Sequence, residues 1–281
     1  MTPDQPEEEK KYCLHGILTL SGINPTRVIL WLVAIAIVSF AIGFGILAVS
    51  GVFSPGTSHP NSPFIQTAWV TPNTIDIPLD GAVSGNISVI MGAGKVALDS
   101  GTPENMLMEA TVFSKAPEWQ PTLSSALEDT TKTVTLTDKG HTGKAWFAVH
   151  SPNSWDIRVT DRVPVVLNVK VGAGDCKMNA GSINLTYLTV HSGAGDTEID
   201  LGRYHGGRFD AAITSGIGDL TLKVPRSGNT RITVHQGVGE TSGFGFTLNN
   251  GAYVTPGFDP ALPVNEIAVK QGVGSFILEM V

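Results

Sequence analysis

Four carboxylates stand at equivalent places in a repeated phrase. The residue after the second glycine of a Gly-x-Gly turn is Asp175, Asp196, Asp219 and Glu240, with Lys95 and Ser275 at the same place in two further copies. If the copies stack at strand spacing, about 4.8 Å, these side chains form a ladder in which like charges repel. A divalent cation would relieve the repulsion, because hard cations take oxygen ligands. The plainer reading is favoured: an exposed edge whose carboxylates extend into water, with Lys177 and Lys223 nearby in sequence. His191 and His235 also share a place, two residues before their first glycine, with Thr214 between them. Two coils would separate them by roughly 10 Å, too far for one metal, so they read as solvated strand residues.

Other chemistry fails on pattern. None of the turns is a G-x-G-x-x-G opening a helix, so a dinucleotide loop is excluded. The nonapeptide period of calcium-binding β-rolls is absent. A sugar-cleaving β-helix would need converging carboxylates, or a cation with a nearby base. No compact Asp/Glu/His/Arg cluster lies outside the ladder. The expectation is no enzyme: no catalytic residue, no cofactor or cofactor-binding residue, and no metal ligand.

The elements that position the ladder follow from the glycines. The phrase occurs at Gly92/Gly94, Gly172/Gly174, Gly193/Gly195, Gly216/Gly218, Gly237/Gly239 and Gly272/Gly274. From Gly172 onward the first glycines lie 21, 23, 21 and 35 residues apart, a period in the range of stacked repeats. Alternating apolar residues flank each copy and change phase across it. Leu167, Val169 and Val171 give way to Cys176 and Met178; Phe209, Ala211 and Ile213 give way to Leu220, Leu222 and Val224. A one-residue slip turns every side chain of a strand to the other face, so the chain must bend at the glycines to keep one face inward. Only the fifth copy lacks a readable flip, since Ile232 and Val234 precede Phe244 and Phe246. Each unit is strand, glycine corner, strand, loop, and such units bury a core only by stacking. The fold class expected is an all-β solenoid. The 80 residues between Gly92 and Gly172 should hold less regular coils with an elaborated loop around Pro117–Asp129, and Asn249–Pro263 should be a second insertion.

Composition agrees with a turn-rich β protein: 32 glycines and 17 prolines, with 15% charged residues. The net charge of −7 has no basic block and excludes nucleic-acid binding. Residues 28–53 run without a charge, long enough to span a bilayer as one transmembrane α-helix. Lys10, Lys11 and Arg27 precede this run and no Lys or Arg follows until Lys95, which places residues 1–27 as a cytoplasmic tail. Residues 54–65, rich in Pro, Gly and Ser, read as a linker, and 66–281 as the extracytoplasmic domain. Cys13 and Cys176 then lie on opposite sides of the membrane and do not pair, Cys176 being a core residue. The sequons at Asn86 and Asn184 fall on outward positions.

The run Ser154-Trp155-Asp156-Ile157-Arg158-Val159, followed by the serial glycine phrases from Leu167 to Gly202, resembles the toast-rack domain, found in the extracytoplasmic parts of LiaF-like proteins within the GIN-type adhesin-like group. The resemblance covers roughly residues 85–245. It implies a single-stranded right-handed β-helix and a non-catalytic binding, sensing or adhesin-like role in the cell envelope, including the envelope-stress response. LiaF itself has several membrane segments where this chain has one. A self-assembling surface or pilus-like subunit is the alternative. The C-terminal coil, ending Phe276-Ile277-Leu278-Glu279-Met280-Val281, is expected to be the open end of the solenoid, docking another copy or a partner protein.

Overall fold

The computed structural model describes residues 72–114, 119–138, 153–204 and 206–281. The expected tail, membrane helix, linker and Cys13 lie outside these. Among the described residues, no helix is long and apolar enough to cross a membrane.

The described chain is all β, and the strands that flank the glycine corners mostly alternate buried and exposed residues as the sequence pattern requires. Strands that approach a glycine corner form one parallel array, and those that leave it form another. β2 (Ser84–Ser100) passes through its corner without a break. The pairs that follow are β7 (Val165–Ala173) with β8 (Cys176–Asn179), β9 (Leu185–Ala194) with β10 (Thr197–Asp200), and β11 (Asp210–Ile217) with β12 (Leu220–Val224). The last two are β13 (Thr230–Val238) with β14 (Thr241–Phe244), and β17 (Asn265–Val273) with β18 (Phe276–Met280). The core is a set of in-register rows between the two arrays. In the approaching array Ile87, Leu167, Leu188, Ala211, Ile267 and Ile232 align; in the leaving array Leu98, Met178, Ile199, Leu222 and Leu278 align.

The coils do not stack in chain order. β17 lies between β11 and β13, and β18 between β12 and β14, all parallel. The C-terminal coil is therefore interior, with Phe276 and Leu278 fully buried, and the open end belongs to β13 and β14. This corrects the expectation that the C-terminal coil is the docking end. The 35-residue spacing is the length that lets the chain skip one slot. It holds a hairpin of β15 (Thr247–Asn249) and β16 (Ala252–Val254), the latter antiparallel to β13. The opposite end has the same device. β5 (Thr131–Thr137) and β6 (Asn153–Val159) pair with β2 on the side away from β7 and β8, so β2 is interior too. β4 (Thr122–Glu128) extends the approaching array, where a loop was expected. β3 (Met106–Phe113) and β1 (Asn73–Pro78) extend the leaving array, all three antiparallel to their neighbours.

The phase flip is present in the fifth copy after all. Thr241 pairs with Phe276 and Gly243 with Leu278, so the inward places of β14 hold a threonine and a glycine. Phe244 points outward and is exposed.

Two separate demands make the corners glycine. The second glycine of every copy has φ between 126° and 151°, a region side chains rarely enter. The first glycines do not, but a Cβ on Gly193 would land on the carbonyl oxygen of Gly172, and one on Gly216 on that of Gly193. Gly195→Ala should therefore cost more than about 3 kcal/mol, combining backbone strain with a clash against Gly174, and Gly193→Ala nearly as much. Gly207→Ala, with nothing near its Cβ, should stay within about 0.5 kcal/mol in thermal or denaturant melts.

Candidate functional site

The ladder exists, in an order set by the stacking: Lys95, Asp175, Asp196, Asp219, Ser275, Glu240. Three of the four carboxylates have a structural task. Lys95 Nζ lies 3.0 Å from Asp175 Oδ2, an ion pair at the start of the row. Asp196 Oδ1 accepts the backbone N–H of Asp219 at 3.0 Å, and Asp219 Oδ1 accepts that of Ser275 at 2.8 Å. Ser275 stands between Asp219 and Glu240, which breaks the run of like charge. No group of three His, Cys, Asp or Glu residues arranged for a metal ion occurs among the described residues. The carboxylates do not simply extend into water, as the sequence suggested; two of them tie one coil to the next.

Glutamines do the same on the inner side of the corner, a role the sequence reading missed. Gln271 Nε2 donates to Gly218 O at 2.5 Å, and Gln236 Nε2 donates to Gly274 O at 2.7 Å. Their shared place, immediately before the first glycine, was the available signal. The first corner is closed differently: Gly92 N–H donates to Asp138 Oδ2 at 3.3 Å.

On the outer face of the leaving array the basic residues noted near the ladder serve Glu198 instead. Lys223 Nζ lies 2.6 Å and Lys177 Nζ 3.2 Å from its two carboxylate oxygens, one partner on each adjacent coil. Hydrogen bonds from Lys223 and Lys177 lower the Glu198 pKa below its ordinary 4.5, and the bond to Glu198 raises that of Lys223 above 10.5. Burial pushes the Cys176 thiol up to about 12, which makes it an inert core residue.

The outer face of the approaching array is different. Its middle row, Ser88, Asn168, Thr189, Ala212, Ala268 and Thr233, is small and uncharged. Beside it, toward the corner, runs a second row: Ile90, Lys170, His191, Thr214, Lys270 and His235. The skipped slot puts Lys270 as well as Thr214 between the two histidines, so they stand farther apart than sequence order implied. Lys170 and Lys270 are exposed, and neither enters an ion pair among the described residues. The result is a flat strip edged by basic side chains on a chain of net charge −7.

A parallel two-faced solenoid with glycine corners defines a structural class. The model of the N-terminal domain of toast_rack, DUF2154, matches residues 67–223, and the chain belongs to that family. Among solved structures, a candidate cell adhesion protein from Clostridium sporogenes is similar with TM-score 0.70 at 22% identity, over 75% of this chain and 99% of its own. A candidate adhesin from Bacteroides fragilis aligns at 12% identity with TM-score 0.29, over 74% of this chain and 96% of its own. A candidate adhesin from Parabacteroides distasonis aligns at 15% identity with TM-score 0.21, over 75% and 97%. No curated protein matches the chain.

Asp219→Ala leaves the Ser275 N–H unpaired and should cost about 1 kcal/mol, whereas Asp219→Asn keeps an acceptor and should cost less. Calcium should shift the melting temperature of neither variant nor parent. Glu198, with its pKa depressed, contributes stability above its ordinary value that is lost as pH falls through the lowered one. Glu198→Gln should therefore flatten the acid limb of stability against pH, read from melts between about pH 6 and 3.

Proposed function

We propose that this chain is a single-pass membrane protein whose extracytoplasmic solenoid is a non-catalytic, adhesin-like binding module of the cell envelope. In this reading residues 1–27 are cytoplasmic, 28–53 cross the membrane, 54–65 lift the domain clear, and 66–281 wind as a right-handed β-helix. One observation carries it. The polar groups of the corners and of the leaving face are spent on holding coils together, while the approaching face is left flat, neutral in the middle and basic along one margin. Flat strand ladders of stacked repeats serve recognition in other repeat proteins. The two lysines of this row, three strand spacings or about 14 Å apart, suit an extended anionic polymer of the cell surface better than a small molecule. The similarity to a candidate cell adhesion protein is in keeping with this role. An envelope-stress function would use the same face to sense rather than to attach.

Two measurements test the reading. Cells displaying the protein should attach to a surface coated with an anionic polysaccharide, and Lys170→Glu with Lys270→Glu should lower attachment at least tenfold without changing the melting temperature. Attachment that is equal in the double variant and indifferent to salt would remove the face from consideration. For topology, Ser58→Cys should react with an impermeant thiol reagent on intact cells while Cys13 does not; labelling of Cys13 alone would invert the orientation.

A further inference from the structure

Among the described residues, the approaching array at the open end of the solenoid holds two unfinished strand edges whose arrangement is self-complementary, and the outer edge of β14 is open in the leaving array. β13 is covered along one edge by β17 over all of Thr230–Val238. On its other edge β16 pairs with Arg231, Ile232 and Thr233, leaving Val234–Val238 without a neighbouring strand among the described residues. β16 is in turn covered by β15, whose far edge is open and whose three residues are all exposed. The two open edges thus lie in one array, two strand spacings or about 10 Å apart along the stack, one in each half of the strand length.

We propose that this end is a two-fold dimer interface in which β15 of a second copy pairs with part of the open stretch Val234–Val238 of β13. Because β13 and β15 are both antiparallel to β16, they run in the same direction. A two-fold axis perpendicular to the sheet reverses direction, so the second copy's β15 arrives antiparallel to β13. It enters in the half that the first copy's own hairpin leaves vacant. The same operation places the first copy's β15 against the second copy's β13. Each half of the joined sheet then reads β13, two hairpin strands, β13, with no slot missing. A closed isologous contact follows, with no open-ended filament.

Three further features agree. Leu248 pairs with Tyr253 and Tyr253 with Ile232, a fully buried core residue, so Leu248 faces the core side of the sheet. Yet it is 66% exposed, because the solenoid ends before reaching it. In the dimer it roofs the second copy's core end beside Val234 and Gln236. Next, a surface that meets itself must not carry charge of one sign. Val234–Val238, Thr241–Phe244 and Thr247–Asn249 contain no Asp, Glu, Lys, Arg or Pro. Edge strands are normally guarded by such residues, and at the opposite end β1 carries Asp76 and Pro78 and β4 carries Glu128. Last, the joined edges lie in the approaching array alone, with about three strand spacings separating the β14 strands of the two copies, so the interface is small and a weak dimer that dissociates on dilution is expected.

The inference does not depend on adhesion, and its test reads only the oligomeric state. The full chain, purified in detergent, is followed by size exclusion with light scattering across a dilution series. The parent should change from two chains to one on dilution, and Leu248→Lys should weaken association at least tenfold with unchanged circular dichroism. Ile217→Lys, a control exposed on a corner away from this end, should associate like the parent. In a Cys13→Ser background, cysteines at His235 and Asn249 should give a covalent product of two chains with a short bismaleimide. This decides the matter if Leu248→Lys fails to fold. A parent monomeric at 100 μM, a Leu248→Lys variant that associates like the parent, or cross-linked products larger than two chains would each overturn the proposal.

Discussion

The structure depends on backbone packed against backbone, where one coil's glycine corner rests on the carbonyl oxygens of the corner beneath. A Cβ at either glycine of Gly172/Gly174, Gly193/Gly195 or Gly216/Gly218 would overlap the neighbouring coil's backbone. Because nothing can intervene, the coils are held level, and that level is transmitted along both strands of each turn. The in-register rows of Ile, Leu and Val follow from it. So do the short hydrogen bonds from one coil to the next, such as Gly195 N–H to Ile217 O at 2.8 Å and Thr197 N–H to Asp219 O at 2.9 Å. Asp196 and Asp219 on the outside and Gln236 and Gln271 on the inside then bridge a gap already set by the glycines.

This constraint also sorts the surfaces. Side chains near the corner lie at strand spacing, so any charged one must find a counter-charge, a backbone donor or a neutral neighbour. Asp175, Asp196, Asp219 and Glu198 each do so. The approaching face contains Lys170 and Lys270 without a counter-charge among the described residues, in a row where His191 and Thr214 stand between them. A surface left unsettled by its own fold is the one available to something else.

Much of this was legible in the chain because its signals are local. The phase flip from Val171 to Cys176 and the recurrence of Gly-x-Gly each report on a few consecutive residues. What escaped was the order in space. A spacing of 35 residues looks like an insertion in one loop, and nothing in Phe276–Met280 says that it pairs with β12 on one side and β14 on the other. The role of Asp219 escaped for a related reason: its partner, Ser275 N–H, is 56 residues away and becomes a neighbour only through the skipped slot. Phe244 misled in the opposite sense, since its hydrophobicity hid the inward Thr241 and Gly243.

The interior positions of β2 and of β17–β18 bear on how the molecule carries load. In a solenoid wound in strict order, tension on a chain end peels the last coil away one hydrogen bond at a time. Here the last corner strand is gripped by parallel ladders on both sides, β12 and β14 for β18, β11 and β13 for β17. β2 is gripped likewise between β5–β6 and β7–β8. A pull on either strand must slide it lengthwise between two neighbours, loading all of its bonds together. The interleaving thus turns the β17–β18 coil from a zipper into a bolt, while β1, paired with β3 alone among the described residues, stays on an edge.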